Sequence, residues 1–343
     1  MKFIFHIGAG KTGSTSIQKT LQKNIGRLRD RGIYYLGMML NQNVAKVEYD
    51  WQKKPTVFNM EAFHKLDDVT ASEQILDILV PTIAKAKKEN IETLIWSNES
   101  FFGRKYNFLK ALETLRDEHG IDVEILIYVR EYSSWAQSSY IQWGIKHKNY
   151  PGEVKPFGVW KESRNFLFFK PIHRLKSKTD LKVCVRNMSA HEDVVVDFLE
   201  HAGISPSGLK VLKDNMSPSN EELLMRIVYN SMFDREVPIR EFDEEVGRLI
   251  KHDKSPSDYL AIYVPKDEDL FELCQKTSND KNKLNKLLEI CSENTIKEFS
   301  NRKNFDVNDS KMISMLMQII FGLKKEIQDI KNELNDLREV SGQ

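Results

Sequence analysis

The chain has 343 residues, enough for one large domain or two modest ones, and 41% of them are hydrophobic, which supports a sizeable core and excludes wholesale disorder. Its 51 basic and 50 acidic residues leave a formal net charge of +1, without the basic excess expected of a nucleic-acid binder. Three cysteines (Cys184, Cys274 and Cys291), an odd number with no C-x-x-C pair, argue against a disulfide framework or a zinc centre and fit a reducing compartment. Cys184 sits in an apolar run and reads as core.

The sequence contains no run of about twenty apolar residues, so no membrane-spanning helix is expected. Met1 and Lys2 lead straight into an apolar strand with no signal peptide, and the expectation is a cytoplasmic protein. In chain order, "KFIFHI" predicts a first strand. "GSTSIQKTLQKNIGRLRDR" predicts a helix with Ile17, Leu21, Ile25 and Leu28 on one face. "GIYYLG" is a second strand and "SEQILDILVPTIAKAKKEN" a helix that Pro81 would kink. "ETLIWSNE", "VEILIYVR" and "LKVCVRN" are further strands, separated by helical segments that include "YNFLKALETLRDEHG" and "SSWAQSSYIQWGIKH". Continuous apolar strands alternating with amphipathic helices predict an α/β fold with a parallel sheet covered on both faces. Residues 38–69 and 150–170 lack a clear period and read as long insertions, the kind of segment that often carries substrate contacts. Beyond residue 214 the chain turns mainly helical. The expected division is an α/β core at 1–215, a helical extension at 216–310 and a coiled-coil helix at 311–343.

The turn after the first strand, "GAGKTGSTSIQ", clusters one lysine with several hydroxyls at a helix start, which is an anion site by construction. Gly8, Gly10 and Gly13 match the dinucleotide fingerprint G-x-G-x-x-G, but the second strand ends in Leu36 and Gly37 without the acid that pattern needs. Gly10-Lys11-Thr12 matches the end of a Walker A loop, but Phe5 stands where its first glycine belongs, and no acid is suited to hold magnesium. The third pattern fits. The stretch resembles the 5′-phosphosulfate loop of the sulfotransferases, and in particular the bacterial sulfotransferase-like branch with its HIG-x-x-KTG-[ST]-TSIQ opening.

That resemblance implies a P-loop-NTPase-like fold, 3′-phosphoadenosine 5′-phosphosulfate as donor cosubstrate, and no metal. It implies donor contacts from Gly10, Lys11, Thr12, Gly13, Ser14, Thr15 and Ser16. For the donor's 3′-phosphate the family uses a strand-end arginine and a serine eight residues on, which here are Arg130 and Ser138, with Trp135 and Tyr140 completing the family's W-x-x-S-x-Y surroundings. Sulfuryl transfer also needs a base for the acceptor proton. Glu99, just past the third strand, takes that place, as in the glycan sulfotransferases, and Lys11 would stabilise the leaving phosphate. The implied acceptor is a hydroxyl on a glycan or glycolipid. The resemblance covers about the first two hundred residues. The animal cytosolic enzymes' R-K-G segment has no counterpart, so no adenine contacts are assigned. Arg186 and Asn215 lie where further donor contacts would fall, with no motif to tie them. Alternative readings are a nucleotide-dependent kinase or phosphotransferase and a non-catalytic coiled-coil assembly protein.

The last segment follows a heptad, with Ile313, Ile320, Ile327 and Leu334 at a and Leu316, Leu323, Ile330 and Leu337 at d. Glu326 with Lys331, and Glu333 with Arg338, would attract across a parallel pair, so a homodimer through 313–337 is expected, with Met317 and Ile319 free to dock the helix start on the body. The competing pairing is an intramolecular hairpin with residues 283–299.

Overall fold

The computed structural model describes residues 1–45, 47–53, 57–212, 218–246, 263–291 and 293–297, together with single positions between 312 and 330. The strands are β1 (Lys2–His6), β2 (Ile33–Tyr35), β3 (Thr93–Ser97), β4 (Asp122–Val129) and β5 (Lys182–Asn187). They form one all-parallel sheet in the order β2-β3-β1-β4-β5. The α-helices are α1 (Ser14–Lys23), α2 (Ile25–Arg29), α3 (Val57–Lys65), α4 (Asp68–Lys88), α5 (Leu109–Asp117), α6 (Tyr132–Tyr140), α7 (Phe157–Trp160), α8 (Phe169–Lys176), α9 (Val194–His201), α10 (Asn220–Ser231), α11 (Ile239–Glu245) and α12 (Asp267–Ile290). The chain divides into two compact units. The first comprises Met1–Trp135, Phe166–Met216 and Cys274–Phe299, and the second Ala136–Asn165, Ser217–Leu273 and Ser300–Gln343.

In the first unit the period of two along each strand sorts side chains to the two sheet faces. Phe3, Phe5, Leu94, Trp96, Ile125 and Ile127 pack under α4, α5 and α8. Ile4, Ile95, Leu126 and Tyr128 pack against Ile17, Leu21, Val195 and Phe198 of α1 and α9. With β1 between β3 and β4, the carboxyl ends of those strands lie side by side, the position where open parallel sheets bind ligands.

Several elements depart from the sequence reading. The first helix is two: Asn24 interrupts it between α1 and α2, its side chain bonded to the Thr20 carbonyl and to both backbone groups of Lys210. α4 starts at Asp68, ahead of the predicted residue 72, because Asp67 caps it through the N–H groups of Val69 and Thr70. The predicted insertion at 38–69 contains α3, and that at 150–170 contains α7 and the start of α8. α8 escapes a local reading because its cap is tertiary. Asp280 of α12 accepts from the N–H groups of Phe168, Phe169 and Lys170 and from the Tyr132 hydroxyl. The helix predicted over 133–147 is α-helical only to Tyr140 and continues as a π-helix over Ile141–Lys146.

In the second unit Lys148, which reads from sequence as part of a solvated basic helix end, is fully buried and donates to the carbonyls of Gly152 and Phe233. The described positions between 312 and 330 are helical. Met312, Met315 and Ile319 pack on Met225 and Tyr229 of α10 and Phe242 of α11, which bears out Ile319 as a docking residue. Met317 lies outside the described residues. The heptad positions Ile313, Leu316, Ile320, Leu323, Ile327 and Ile330 are 43–61% exposed. Leu334, Leu337 and the charged partners beyond residue 330 also lie outside the described residues. Among the described residues no helix is long and apolar enough to cross a membrane.

The first unit buries a charged cluster beside β5. Arg186 pairs with Asp197 at 2.5 Å and with Glu293 at 2.9 Å, and Tyr128 donates to Asp197. Arg186 is thereby engaged in the core rather than offered to a ligand, and Asn215 lies outside the described residues. Burial pushes the Asp197 carboxyl up, but the Arg186 and Tyr128 hydrogen bonds outweigh it and hold it below the usual carboxylate range. A depressed carboxyl contributes stability above its unfolded pKa, about 4, and loses that contribution as pH falls through the folded value. Arg186→Ala, which strands two buried carboxylates, is expected to cost about 3–5 kcal/mol. Thermal unfolding from pH 7 to 3 should show the wild type losing stability below about pH 4, and Asp197→Asn less stable at neutrality but with a flatter acid slope.

Candidate functional site

The site is built on the carboxyl ends of β1, β3 and β4. β1 ends at His6, whose register partner on β3 is Ser97, and the chain then turns through residues 7–13 into α1. Two backbone positions define that turn. Lys11 has φ 68°, a left-handed conformation that costs a non-glycine residue roughly 1 kcal/mol, and Gly13 has φ 88°. Gly13 is further constrained by packing, because a Cβ there would run into the Val194 side chain of α9. The Thr12 hydroxyl donates to the Ala9 carbonyl and closes the loop on itself.

From the other side the loop is held by residues that follow β4. Arg130 donates from Nη1 to the Lys11 carbonyl at 3.2 Å, and Trp135 donates from Nε1 to the Gly10 carbonyl at 2.8 Å. In a trans peptide the N–H points opposite to the carbonyl, so turning these carbonyls toward α6 turns the amides of Lys11 and Thr12 the other way. The two motifs picked out in the sequence therefore meet in space.

The N-terminus of α1 carries no side-chain cap, since Gly13 has none to offer, whereas α4, α9 and α10 are capped by Asp67, Asp193 and Ser219. The N-cap side chain therefore does not answer the first-turn N–H groups, and the positive end of the helix dipole lies at this turn. Among the described residues the Ser14 hydroxyl, on a residue 3% exposed, has no hydrogen-bond partner, nor has Nε2 of the fully buried His6. Both atoms surround the Cα side of Gly8, where a Cβ would sit 2.7 Å from the imidazole. Burial drives the His6 pKa down to about 3, so the ring is neutral, and its Nδ1 lies 2.8 Å from the Ser97 hydroxyl. Thr15 and Gly10 are exposed, Ser16 is buried and Lys11 is half-buried at the mouth.

Arg130 is half-buried, and desolvation lowers its pKa, with Glu131 opposing. Among the described residues no carboxylate forms an ion pair with it. Glu131 instead accepts from the N–H groups of Ser133 and Ser134 and caps the first turn of α6. A desolvated guanidinium with unused donors next to an uncapped helix start favours a bound anion. Ser138 falls on α6, half-buried, in the second unit.

Glu99 opens a 3-10 turn held by Asn98, whose side chain accepts from Ser100 and donates to the Met38 carbonyl. The carboxylate does not pair with Arg104, which bonds Glu61. It accepts a hydrogen bond from Gln18 of α1 at 2.6 Å, and the same amide reaches the Ser97 carbonyl at 3.2 Å. Arg130 and Trp135 are thus joined to the loop through its carbonyls, and Glu99, Gln18, Ser97 and His6 form a second hydrogen-bonded set in the same unit, in which Gln18, His6 and Ser97 had no role in the sequence reading. Gln18 was within reach of that reading, since it sits four residues after Ser14 on the same helical face.

Away from this site, Glu124, Cys184 and His201 present ligand atoms within 4.8 Å of one another. The set suits a soft divalent ion in residue type, but Glu124 already bonds Lys2 at 2.8 Å and Lys182 at 3.0 Å. Those two ammonium groups would oppose a cation, and burial pushes the Cys184 thiol up to about 11.

No protein-family model matches the chain, and no curated protein is significantly similar to it. Gly13→Ala tests the loop geometry. Strain at positive φ and the collision with Val194 are together expected to cost about 2–4 kcal/mol, read as a lowered unfolding midpoint in urea, whereas Gly10→Ala, with open space around it, should cost less than about 1 kcal/mol.

Proposed function

We propose that the protein is a sulfotransferase that moves a sulfuryl group from 3′-phosphoadenosine 5′-phosphosulfate to an acceptor hydroxyl, with a glycan or glycolipid as the acceptor class. The observation that carries the reading is the meeting of the two motifs, with Arg130 and Trp135 bonded to the carbonyls of Lys11 and Gly10. The fit to the donor rests on the uncapped α1 terminus, the orphaned Ser14 hydroxyl and the desolvated Arg130.

In this reading the loop amides and the hydroxyls of Ser14, Thr15 and Ser16 bind the 5′-phosphate, and Arg130 binds the 3′-phosphate. Glu99 takes the acceptor proton as the acceptor oxygen bonds to sulfur. The sulfur–oxygen bond to the 5′-phosphate breaks with its electron pair on the phosphate oxygen, and Lys11 neutralises the charge that develops there. The donor supplies an activated sulfuryl group, and the chain's contribution is position and charge rather than covalent chemistry.

Calorimetry with 3′-phosphoadenosine 5′-phosphate is the direct test, with ATP and NAD as controls. Binding is expected for the bisphosphate, weakened about tenfold or more by Lys11→Ala and by Arg130→Ala and unaltered by Glu99→Gln. Binding of ATP or NAD in its place overturns the reading. With an acceptor in hand, Glu99→Gln should lower turnover about 10²–10⁴-fold.

We further propose that the enzyme is a homodimer through residues 313–337. The support is the division of labour among the described positions: Met312, Met315 and Ile319 are spent on the second unit, while the heptad positions from Ile313 to Ile330 are exposed. Ile320→Asp with Ile327→Asp should convert a dimer to a monomer in sedimentation velocity, leaving the unfolding transition of the body in place. A wild type monomeric at about 50 μM would overturn the proposal, because coiled coils of this length pair well below that concentration.

A further inference from the structure

The geometry points to Trp135 as a positioning residue of the anion loop: its indole N–H fixes the plane of the Gly10–Lys11 peptide and so holds Lys11 in the left-handed conformation that binding requires. The inference rests on the reading of residues 8–16 as the donor's 5′-phosphate loop.

A loop with a non-glycine residue at φ 68° keeps that shape only where its surroundings over-determine it. Trp135 supplies one restraint in the form of a rigid plane. Its ring is bracketed by Phe168, with centroids 4.3 Å apart, and by Phe166, edge-on at 5.6 Å, and its Nε1 reaches the Gly10 carbonyl at 2.8 Å. The bracket is itself fixed. Asp280 accepts from the Tyr132 hydroxyl at 2.7 Å, on the helix that carries Trp135, and from the Phe168 N–H at 2.9 Å, on the segment that carries the ring tilted against it. One carboxylate therefore locks both halves of the clamp, and the Glu131 cap sets the start of the helix between them. Thr12 holds the Ala9 carbonyl from within the loop. Of the two residues that hold a loop carbonyl from outside it, Arg130 would turn toward a bound 3′-phosphate, which leaves Trp135 as the outside restraint that persists in both states.

Trp135→Phe removes the donor while keeping an aromatic ring between Phe166 and Phe168. The variant should unfold within a few degrees of the wild type and bind 3′-phosphoadenosine 5′-phosphate about tenfold more weakly, because the loop must then be ordered by the ligand itself. In parallel, the indole N–H of Trp135 in the native protein, followed by ¹⁵N-resolved hydrogen exchange, should be protected before ligand is added and remain so afterwards. A Phe variant that binds as tightly as the wild type overturns the inference and leaves the donor reading standing. A wild type that does not bind the bisphosphate removes the donor reading and this inference with it. Should the Phe variant fail to fold, the native exchange measurement decides: an indole proton exchanging at the rate of free solvent overturns the clamp.

Discussion

The backbone between His6 and Ser14 has to leave a buried strand, reverse, and start a helix while every polar group on it finds a partner. The solution adopted here sends three of its carbonyls to side chains and turns the amides that follow two of them the other way. Trp135 and Arg130 receive the carbonyls of Gly10 and Lys11, and Thr12 closes on Ala9. The remaining geometry follows from that division. Val194 admits only glycine at position 13, and His6 leaves no space for a Cβ at position 8. The sheet order is what makes the division possible, since it sets β4, with the residues that follow it, directly beside β1.

The same ordering joins the loop to the opposite side of the site. β3 runs on the other flank of β1, so Ser97 reaches His6 and Glu99 reaches Gln18. The Glu99 carboxylate accepts there from an uncharged amide and forms no ion pair with an arginine or lysine among the described residues. The charged partners are concentrated elsewhere, around Glu124 and Asp197, where cations from several elements balance buried acids. Structural charges and chemically available charges are segregated in this unit.

The strands, their parallel order of succession and the helices that cover them were legible in the sequence because each rests on local hydrophobic period. The turn after β1 and the position of Arg130 just past β4 were legible because residue type and spacing suffice to mark them. What escaped the sequence depends on distant partners. The Asp280 cap makes α8 out of a stretch that reads as insertion, and Asn24 splits one amphipathic helix through bonds to Lys210. Lys148 reads as a surface cation until the carbonyls of Gly152 and Phe233 are seen around its ammonium group. Gln18 and Trp135 lay inside quoted motifs, but their hydrogen-bond partners sit some 80 and 125 residues away along the chain. Nothing in a linear pattern announces such pairings.

The first unit is discontinuous in the chain, taking its last pieces from Cys274–Phe299. Asp280 and Glu293, which complete the α8 cap and neutralise Arg186, both come from that last piece. During synthesis, therefore, the sheet emerges from the ribosome well before the carboxylates that finish it, with Ser217–Leu273 of the second unit made in between. Until then Arg186 has Asp197 but not Glu293, and the first N–H groups of α8 have no acceptor. The α/β unit thus matures only after most of the chain has been translated, and a nascent chain halted near residue 215 would present an α/β fold with these two joints still open.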